Sequence, residues 1–307
     1  MNGSPRVSVL LTCFNHLVYL PACLEGLRCQ TFRDFEVIAL DDGSTDGTRG
    51  FLQERKEELR VVLNEENLGT YGTLNRGLEL ARGEFVAVLN DDDVWHPEKL
   101  ARQVALLDAM PEVGLVHTDG CFIDGDGNTM DGSPLGFEFP RTETGDVLLD
   151  LCYANKIIAS AALVRRQCFE DLGGFDPSYF GSGDWQMWLR VAEQWQVGFV
   201  EGRLTDYRVH GANASHKLER IWRDDEALRT WLQPRFAQWE GRFPPEDLRR
   251  AEAHNWACLG TVQCLNGKPG KARASYLASM RLAPGRWQSW LRYAATFLPR
   301  KVFRQLL

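Results

Sequence analysis

Along the first third of the chain, short apolar runs alternate with longer stretches in which apolar positions recur at helical spacing. Val7 to Phe14, Phe35 to Leu40, Leu59 to Leu63 and Phe85 to Leu89 read as strands: each is five to eight residues long, mostly apolar and followed by turn-forming or polar residues. Helices are expected between them, from Pro21 to about Gln30, from Thr45 to about Glu58 with Ser44 or Thr45 as cap, from about Gly72 to Ala81, and from Pro97 to about Met110. Alternation of this kind predicts a parallel sheet covered on both faces, an α/β fold.

The rhythm then changes. Val113 to Phe122 predicts a strand, Asp124-Gly125-Asp126-Gly127-Asn128 a hairpin turn, and the residues up to Thr144 a loop rich in Gly and Pro. Ile157 to Val164 predicts a strand and Arg166 to Leu172 a short helix stopped by Gly173-Gly174-Phe175-Asp176-Pro177. Trp185 to Gln194 predicts a helix, with short strands near Val197 to Val200 and Leu204 to Arg208. A first domain is expected over residues 1–222 and a helical region over 223–307. Within the latter, Ala251 to Cys264 and Lys271 to Leu282 flank a Gly267-Lys268-Pro269-Gly270 turn, like one tetratricopeptide hairpin. One such unit cannot bury its own faces, so it must pack on the main domain or on a partner.

The chain has 307 residues, 44% of them hydrophobic, enough for one large α/β domain and a smaller appendage. The net charge of −7 conceals an asymmetry: after Glu252 there is no acid, while Ala253 to Leu307 carries nine Lys or Arg. The excess of base is thus not on the segment that bears the acids, which argues against nucleic acid as a partner. From Trp287 onward, Trp290, Leu291, Phe297, Val302 and Phe303 stand among Arg292, Arg300, Lys301 and Arg304. That basic amphipathic tail permits weak peripheral contact with an anionic membrane surface. No apolar stretch approaches the roughly 18 to 20 residues that span a bilayer, and Met1-Asn2-Gly3-Ser4-Pro5-Arg6 lacks the regions of a signal peptide. A cytoplasmic protein is expected, with the inner face of the membrane as the tail's place of contact. The eight cysteines show neither Cys-x-x-Cys nor short Cys/His spacing and are expected to be reduced thiols.

Candidate chemistry lies at two strand exits. Asp91, Asp92 and Asp93 follow the fourth strand directly; keeping all three ionised in one turn requires either free solvent or a bound cation. Asp41-Asp42-Gly43-Ser44-Thr45-Asp46-Gly47 follows the second strand. Open α/β sheets bind ligands at the carboxyl ends of their strands, so the two exits point to one shared pocket. Asp184, just ahead of an apolar helix, would sit at a positive helix end.

These motifs, in their order, resemble the family 2 inverting glycosyltransferases with the GT-A fold. They run Val-Ser-Val-Leu-Leu-Thr-Cys-Phe-Asn, then Gln30-Thr31-Phe32-Arg33-Asp34-Phe35-Glu36-Val37, Asp-Asp-Gly-Ser-Thr-Asp-Gly-Thr and Asn67-Leu68-Gly69. Asn-Asp-Asp-Asp before Trp and Pro follows, then Gly-Gly-Phe-Asp, Gly183-Asp184-Trp185-Gln186-Met187-Trp188-Leu189-Arg190 and Tyr207-Arg208-Val209-His210. The resemblance covers about the first 220 residues. It implies a Rossmann-like nucleotide-sugar-binding sheet flanked by helices, with the C-terminal helices as an appendage.

By the same resemblance, the donor is a nucleoside diphosphate sugar, UDP or dTDP favoured. The acceptor is a hydroxyl of a glycan, a lipid-linked glycan or a protein, in surface glycan or polysaccharide assembly, and the cofactor is Mn2+ or Mg2+. Asp92 matches the metal-binding acid of the family's DxD motif, and His210 could complete the metal shell or touch a phosphate. Asp91 would meet the ribose or help the ion, and Asp93 would cap the following helix. Asp42 matches the carboxylate that reads the base. Thr12 and Asn15 line the same nucleotide or else cap a turn, and Asn67 and Gly69 let backbone approach the base or ribose. Asp184 matches the general base, Trp185 and Trp188 offer a sugar platform or core packing, and His117 reads as a core histidine. His16, His96, His216 and His254 stand in no comparable context.

The chain departs from the family at Asn90, Gly183 and Gln186, where acids are common. Those departures keep open a non-catalytic nucleotide-sugar-binding or scaffold protein of the same fold. A nucleotide-dependent oxidoreductase or nucleotidyltransferase lacks support, because no Gly-x-Gly-x-x-Gly follows the first strand and no Gly-rich, Lys-containing phosphate loop occurs.

Overall fold

A computed structural model of the chain describes residues 4–132, 134–213 and 216–305. The described residues of Met1–Leu148, Asn155–Tyr179 and Gly183–Asn213 form one compact unit, and those of Leu149–Ala154, Phe180–Ser182 and Ala214–Leu307 a second.

In the first unit, β1 (Val7–Cys13) lies between β2 (Phe35–Asp41) and β4 (Phe85–Asn90), parallel to both, with β3 (Arg60–Leu63) outside β2. All seven residues of β1 are buried, as a strand covered on both faces requires. Alternate side chains serve opposite layers. Val7, Val9 and Leu11 pack with α1 (Leu20–Arg28) and α4 (Lys99–Ala109) through Leu24, Leu27, Leu100, Val104 and Leu107. On the other face α3 (Gly69–Leu80) approaches Leu10 and Leu40 so closely that a Cβ at Gly77 would come within 2.7 Å of the Leu40 side chain. Fully burying one such leucine is worth about 1.5–3 kcal/mol.

The wholly parallel sheet expected from the alternation ends at β4. Next to it lies β7 (Leu163–Arg165), antiparallel to β4 and to β6 (Val113–Ile123); with β8 (Gln196–Arg208) and β5 (Val94–Trp95) the sheet order is β3-β2-β1-β4-β7-β6-β8-β5. The strand expected from Ile157 begins only at Leu163, because Ala159–Ala161 turn as a 3-10 helix. The two short strands expected near residues 197–208 are one irregular strand, β8 (Gln196–Arg208), parallel to β6 with register shifts. One shift falls at Gly120, where a Cβ would overlap the Thr205 carbonyl. The two-residue strand β5 (Val94–Trp95) pairs antiparallel with β8 and so fastens the chain just after the Asp91–Asp93 turn.

Gln30-Thr31, part of the motif set, holds that turn from the other side. Gln30 Nε2 donates to the carbonyls of Gly26 and His96, its Oε1 accepts the Leu100 N–H, and the Thr31 N–H meets the Pro97 carbonyl. Among the described residues all eight cysteines are free thiols.

The second unit is helical. Helices α9 (Pro245–Leu265) and α10 (Pro269–Leu282) form the expected hairpin, turning at Gly267 with φ +77°. Gly260 lets α10 close in: a Cβ there would stand 3.1 Å from the Ala272 carbonyl and the Tyr276 ring. The hairpin's apolar face is covered inside this unit, as Cys264, Leu265, Ala272 and Tyr276 cluster with Phe303 and against Trp222 and Tyr293. Trp222 belongs to α8 (Leu218–Leu232) and Tyr293 to α11 (Trp287–Ala295). The last segment is interrupted before Pro299 and resumes as α12 (Arg300–Gln305). Phe303 is buried, whereas Trp287, Trp290, Leu291, Phe297, Leu298 and Val302 stay exposed, Phe297 at 63%. Among the described residues no helix is long and apolar enough to cross a membrane.

Candidate functional site

Register brings the two acidic exits to one edge of the sheet. Thr12 of β1 pairs with Leu40 of β2 on one side and Asn90 of β4 on the other, so Asp42 and Asp91 leave the sheet together with β1 between them. The Asp42 N–H donates to the Cys13 carbonyl and the Asp91 N–H to that of Thr12, which closes both exits onto the middle strand.

Asp42 is buried beside neutral donors. Asn64 Nδ2 (2.9 Å) and the Leu68 N–H (2.8 Å) both donate to its Oδ1. Its backbone carbonyl accepts from Asn67 Nδ2, and Asn67 Oδ1 accepts the N–H of Gly69, whose φ of +75° favours glycine. Asp42, Asn67 and Gly69 are thus one assembly. Among the described residues nothing donates to Asp42 Oδ2, which leaves that oxygen for an outside N–H.

The other exit has a different character. Asp91, buried, accepts the Phe14 N–H on Oδ2 (3.0 Å) and meets His16 Nδ1 with Oδ1 (2.9 Å). Burial pushes its carboxyl up, against the pull of His16. Burial alone would lower His16, but the hydrogen bond and charge of Asp91 outweigh it and raise the imidazole above its usual value. Asp92 Oδ2 meets His210 Nε2 at 2.9 Å and accepts from Asn213 Nδ2 at 3.3 Å. His210 Nδ1 accepts the Ala212 N–H, so in the neutral ring Nε2 carries the proton that faces Asp92.

One ligand atom from each of His16, Asp92 and His210 lies within 4.8 Å of the other two. Two imidazoles and a carboxylate are a donor set that fits a divalent cation. The rings also pack, His16 edge-on to His210 at 4.9 Å and Tyr19 beside His210 at 4.8 Å between centroids. His16 carried no signal in its own segment. The cue that could have found it is its place one residue after Asn15, at the exit of the strand between the two acidic turns.

Asp93 differs from its expected role. It does not cap the next helix, whose N-cap is Glu98; it is fully buried and accepts from Ser160 Oγ and from the Arg208 N–H (2.9 Å). Burial, with the charge of Asp92 second, pushes its carboxyl well above the usual range. Arg208 ties this corner together: Nε donates to the Asp92 carbonyl, Nη1 to those of Asp124 and Gly125, and the guanidinium covers the Tyr19 ring at 4.8 Å. Two residues on from Arg208, His210 is thereby delivered to Asp92.

Thr12 Oγ1 donates to Asn90 Oδ1 (3.1 Å), and Asn15, at φ +57°, accepts the Thr45 N–H on Oδ1 (2.8 Å). Thr12 thus ties β1 to the last residue of β4, and Asn15 ties the β1 exit to the loop after β2. Trp185 and Trp188 are both buried, so packing takes each of them. His117 is buried on Thr142 and Phe199, and desolvation lowers it to about 3.

Asp184 stands in the first turn of α7 (Gly183–Gln194). Its Oδ1 accepts from the Trp185 N–H (2.7 Å) and Tyr71 Oη (3.4 Å), and its Oδ2 from Asn155 Nδ2 (3.3 Å). Desolvation raises it to about 6 despite those donors. Tyr71 belongs to α3, the helix that starts beside the Asp42 assembly, so the same edge of the unit carries Asp184. The Tyr71 ring also explains Gly183, since a Cβ there would come within 2.7 Å of it.

Residues 8–173 match the family model described as Glycosyl transferase family 2. An uncharacterized glycosyltransferase of Nostoc sp. is 30% identical over 218 residues, covering 68% of this chain and 66% of that protein. A putative teichuronic acid biosynthesis glycosyltransferase of Bacillus subtilis, TuaG, is 38% identical over 109 residues, 34% of this chain and 43% of that one. An uncharacterized protein of Sinorhizobium fredii is 27% identical over 254 residues, 80% of this chain and 27% of its own length. The chain therefore spans less than two thirds of these curated relatives.

Among solved structures, S. aureus TarS 1-349 superposes with a TM-score of 0.64 at 16% identity, over 98% of this chain and 92% of that one. Mannosyltransferase PcManGT from Pyrobaculum calidifontis, in complex with GDP-Man and Mn2+, gives 0.61 at 21% identity, over 98% and 87%. The fold is of the GT-A type.

Proposed function

The chain belongs to glycosyl transferase family 2, and from that premise we propose that it moves a sugar from a nucleoside diphosphate carrier to a hydroxyl acceptor, with inversion at the anomeric carbon. The observation that carries this reading is the shared edge of the first unit, where Asp42 offers one open oxygen, Asp92 lies against His210, and α7 presents Asp184.

Asp42 Oδ2 accepts the imide N–H of a uracil or thymine base, which favours UDP or dTDP as carrier. Asn67 and Gly69 bring backbone against the base or ribose; Thr12, Asn15 and Asp91 hold the strand ends and loops that wall the nucleotide. Asp92 and His210 would hold a divalent cation, Mn2+ or Mg2+. When bound, such an ion offsets the charge that grows on the diphosphate as the sugar departs. Asp184 takes the proton of the acceptor hydroxyl as its oxygen attacks from the face opposite the leaving group. Its value of about 6 suits a base that is ionised at neutral pH yet still binds a proton. The Bacillus subtilis relative's name supports an acceptor in surface glycan or polysaccharide assembly.

The test is transfer from a panel of UDP- and dTDP-sugars with Mn2+ present and absent, in wild type and Asp184→Asn. Turnover in the variant should fall by about 10²–10⁴-fold, the usual worth of a positioned base. In wild type, log kcat/KM should climb by one per pH unit below about 6 and level above it, because the protonated carboxyl cannot accept a proton. Unchanged turnover in Asp184→Asn overturns the base assignment; a wild type that binds nucleotide sugars and never transfers them favours a non-catalytic scaffold.

The exposed aromatic and aliphatic residues of α11 and α12, with Arg292, Arg300, Lys301 and Arg304 nearby and no acid after Glu252, support weak peripheral contact with an anionic lipid surface, placing the enzyme at the cytoplasmic face of the membrane. Sedimentation with phosphatidylglycerol vesicles, lost on Trp287→Ala with Trp290→Ala and absent with phosphatidylcholine, is the expected outcome. Equal sedimentation with both lipids removes the electrostatic part.

A further inference from the structure

We propose that His16 is a third protein donor to the cation of this site, oriented by Asp91, and that the resulting set of two imidazoles and one carboxylate selects a first-row transition cation such as Mn2+ or Co2+ over Mg2+. The proposal deepens the transferase reading and rests on it for the identity of the pocket.

His16 comes from the exit of β1, while Asp92 and His210 come from the exits of β4 and β8, so three strands converge on one point. The candidate ligand atoms lie within 4.8 Å of one another, so that modest side-chain rotations would bring them to the roughly 3–4 Å spacing of donors on a common ion. All three side chains are largely withdrawn from water: the His16 side chain is 20% exposed, His210 8% and Asp92 10%. His16 Nδ1 is engaged by Asp91 Oδ1 at 2.9 Å, so Nε2 is the nitrogen left with a lone pair. A histidine whose far nitrogen donates to a carboxylate is the usual form of a metal-ligating imidazole, its ring orientation and tautomer set by that partner. Both Asp91 oxygens are engaged, Oδ1 by His16 and Oδ2 by the Phe14 N–H, which fixes the carboxylate that orients the ring. To meet the cation through Nε2, His210 would take its other tautomer, the ring proton moving to Nδ1 at the expense of the 3.3 Å contact with the Ala212 N–H, so that Nε2 and Asp92 Oδ2 would both face the ion.

Ion preference follows from the donors. Mg2+ asks for oxygen ligands in octahedral array and gives up its waters reluctantly, whereas imidazole suits the later first-row ions.

The experiment titrates the full chain, without donor or acceptor, with Mn2+ and Co2+. Electron spin echo modulation of bound Mn2+ counts directly bonded imidazole nitrogens, and two are expected in wild type. His16→Ala should weaken Mn2+ binding by about 100-fold or more and Asp91→Asn by about tenfold, the range seen for ligands and their orienting partners. Mg2+ should displace Mn2+ only in large excess.

A single coordinated nitrogen, or His16→Ala binding Mn2+ within twofold of wild type, overturns the proposal, as does Mg2+ competing equally. The nitrogen count needs no variant, so a His16→Ala chain that fails to fold leaves the test intact. Two nitrogens in a protein that turns over no nucleotide sugar would leave the cation site standing and remove the transferase reading. Transfer that depends on Asp184 with only one nitrogen bound would do the reverse.

Discussion

The exits of β2 and β4 look alike on paper, each an apolar strand running into aspartates, and their carboxylates have opposite surroundings. At the β2 exit, Asp42 is gripped on one oxygen by an amide side chain and a backbone N–H, both neutral. Such donors fix the direction of a carboxylate without cancelling its charge, and the free oxygen is aimed rather than neutralised. At the β4 exit, Asp91 and Asp92 each face an imidazole, and Asp93 is sealed away from water beneath them. Carboxylates set against imidazoles are donor sets that suit a positive charge. On the proposed reading, one exit recognises a hydrogen-bonding pattern and the other holds an ion.

Substitutions that remove charge but keep shape break this contrast if it is wrong. Asp92→Asn should have the larger effect: losing a cation that stabilises the leaving diphosphate forfeits several kcal/mol at the transition state, and about 4 kcal/mol corresponds to roughly a 10³-fold fall in kcat. Steady-state kinetics with and without Mn2+ reads it, and the variant should no longer respond to the metal. A variant that keeps full, metal-stimulated turnover would dissolve the distinction.

Asp42→Asn should be milder and of another kind. Base recognition is made equally in ground and transition states, so donor KM should rise while kcat stays near wild type. A lost hydrogen bond to a charged acceptor is worth about 1.5–3 kcal/mol, which sets the rise at roughly 10- to 150-fold. If kcat falls with KM unchanged, Asp42 belongs to the chemistry rather than to recognition. With both variants in hand, an Asp42→Asn chain that keeps its Mn2+ affinity would show the two exits acting separately.

Much of this was readable along the chain. Asp42 and Asp91–Asp93 stand immediately after runs whose apolar character commits them to buried strands, and a strand's exit is a place on the surface of any sheet. Asp184 stands ahead of an apolar helix and is found in its first turn. The hairpin at 251–282 follows from helical spacing around a Gly-Lys-Pro-Gly turn. What was not readable depends on distant partners. His16 looks like any loop histidine until β1 is laid beside β4. Asp93 looks like a helix cap until Arg208, 115 positions away, donates its backbone N–H. Trp185 and Trp188 look equally fit for a sugar face or for the core until their surroundings are known.

Local pattern therefore determined which segments are strands and helices and which residues stand at their ends, because hydrophobic period and turn chemistry act over a few neighbouring residues. The folded sheet alone decided which ends meet. Strand order inserts β7 between β4 and β6 and carries β8 back to the Asp91–Asp93 turn, and only that placement sets an imidazole against Asp92 while leaving Asp42 with amides. A carboxylate's chemistry is settled by what lies within about 3 Å of it, and in this protein those neighbours come from strands far apart along the chain.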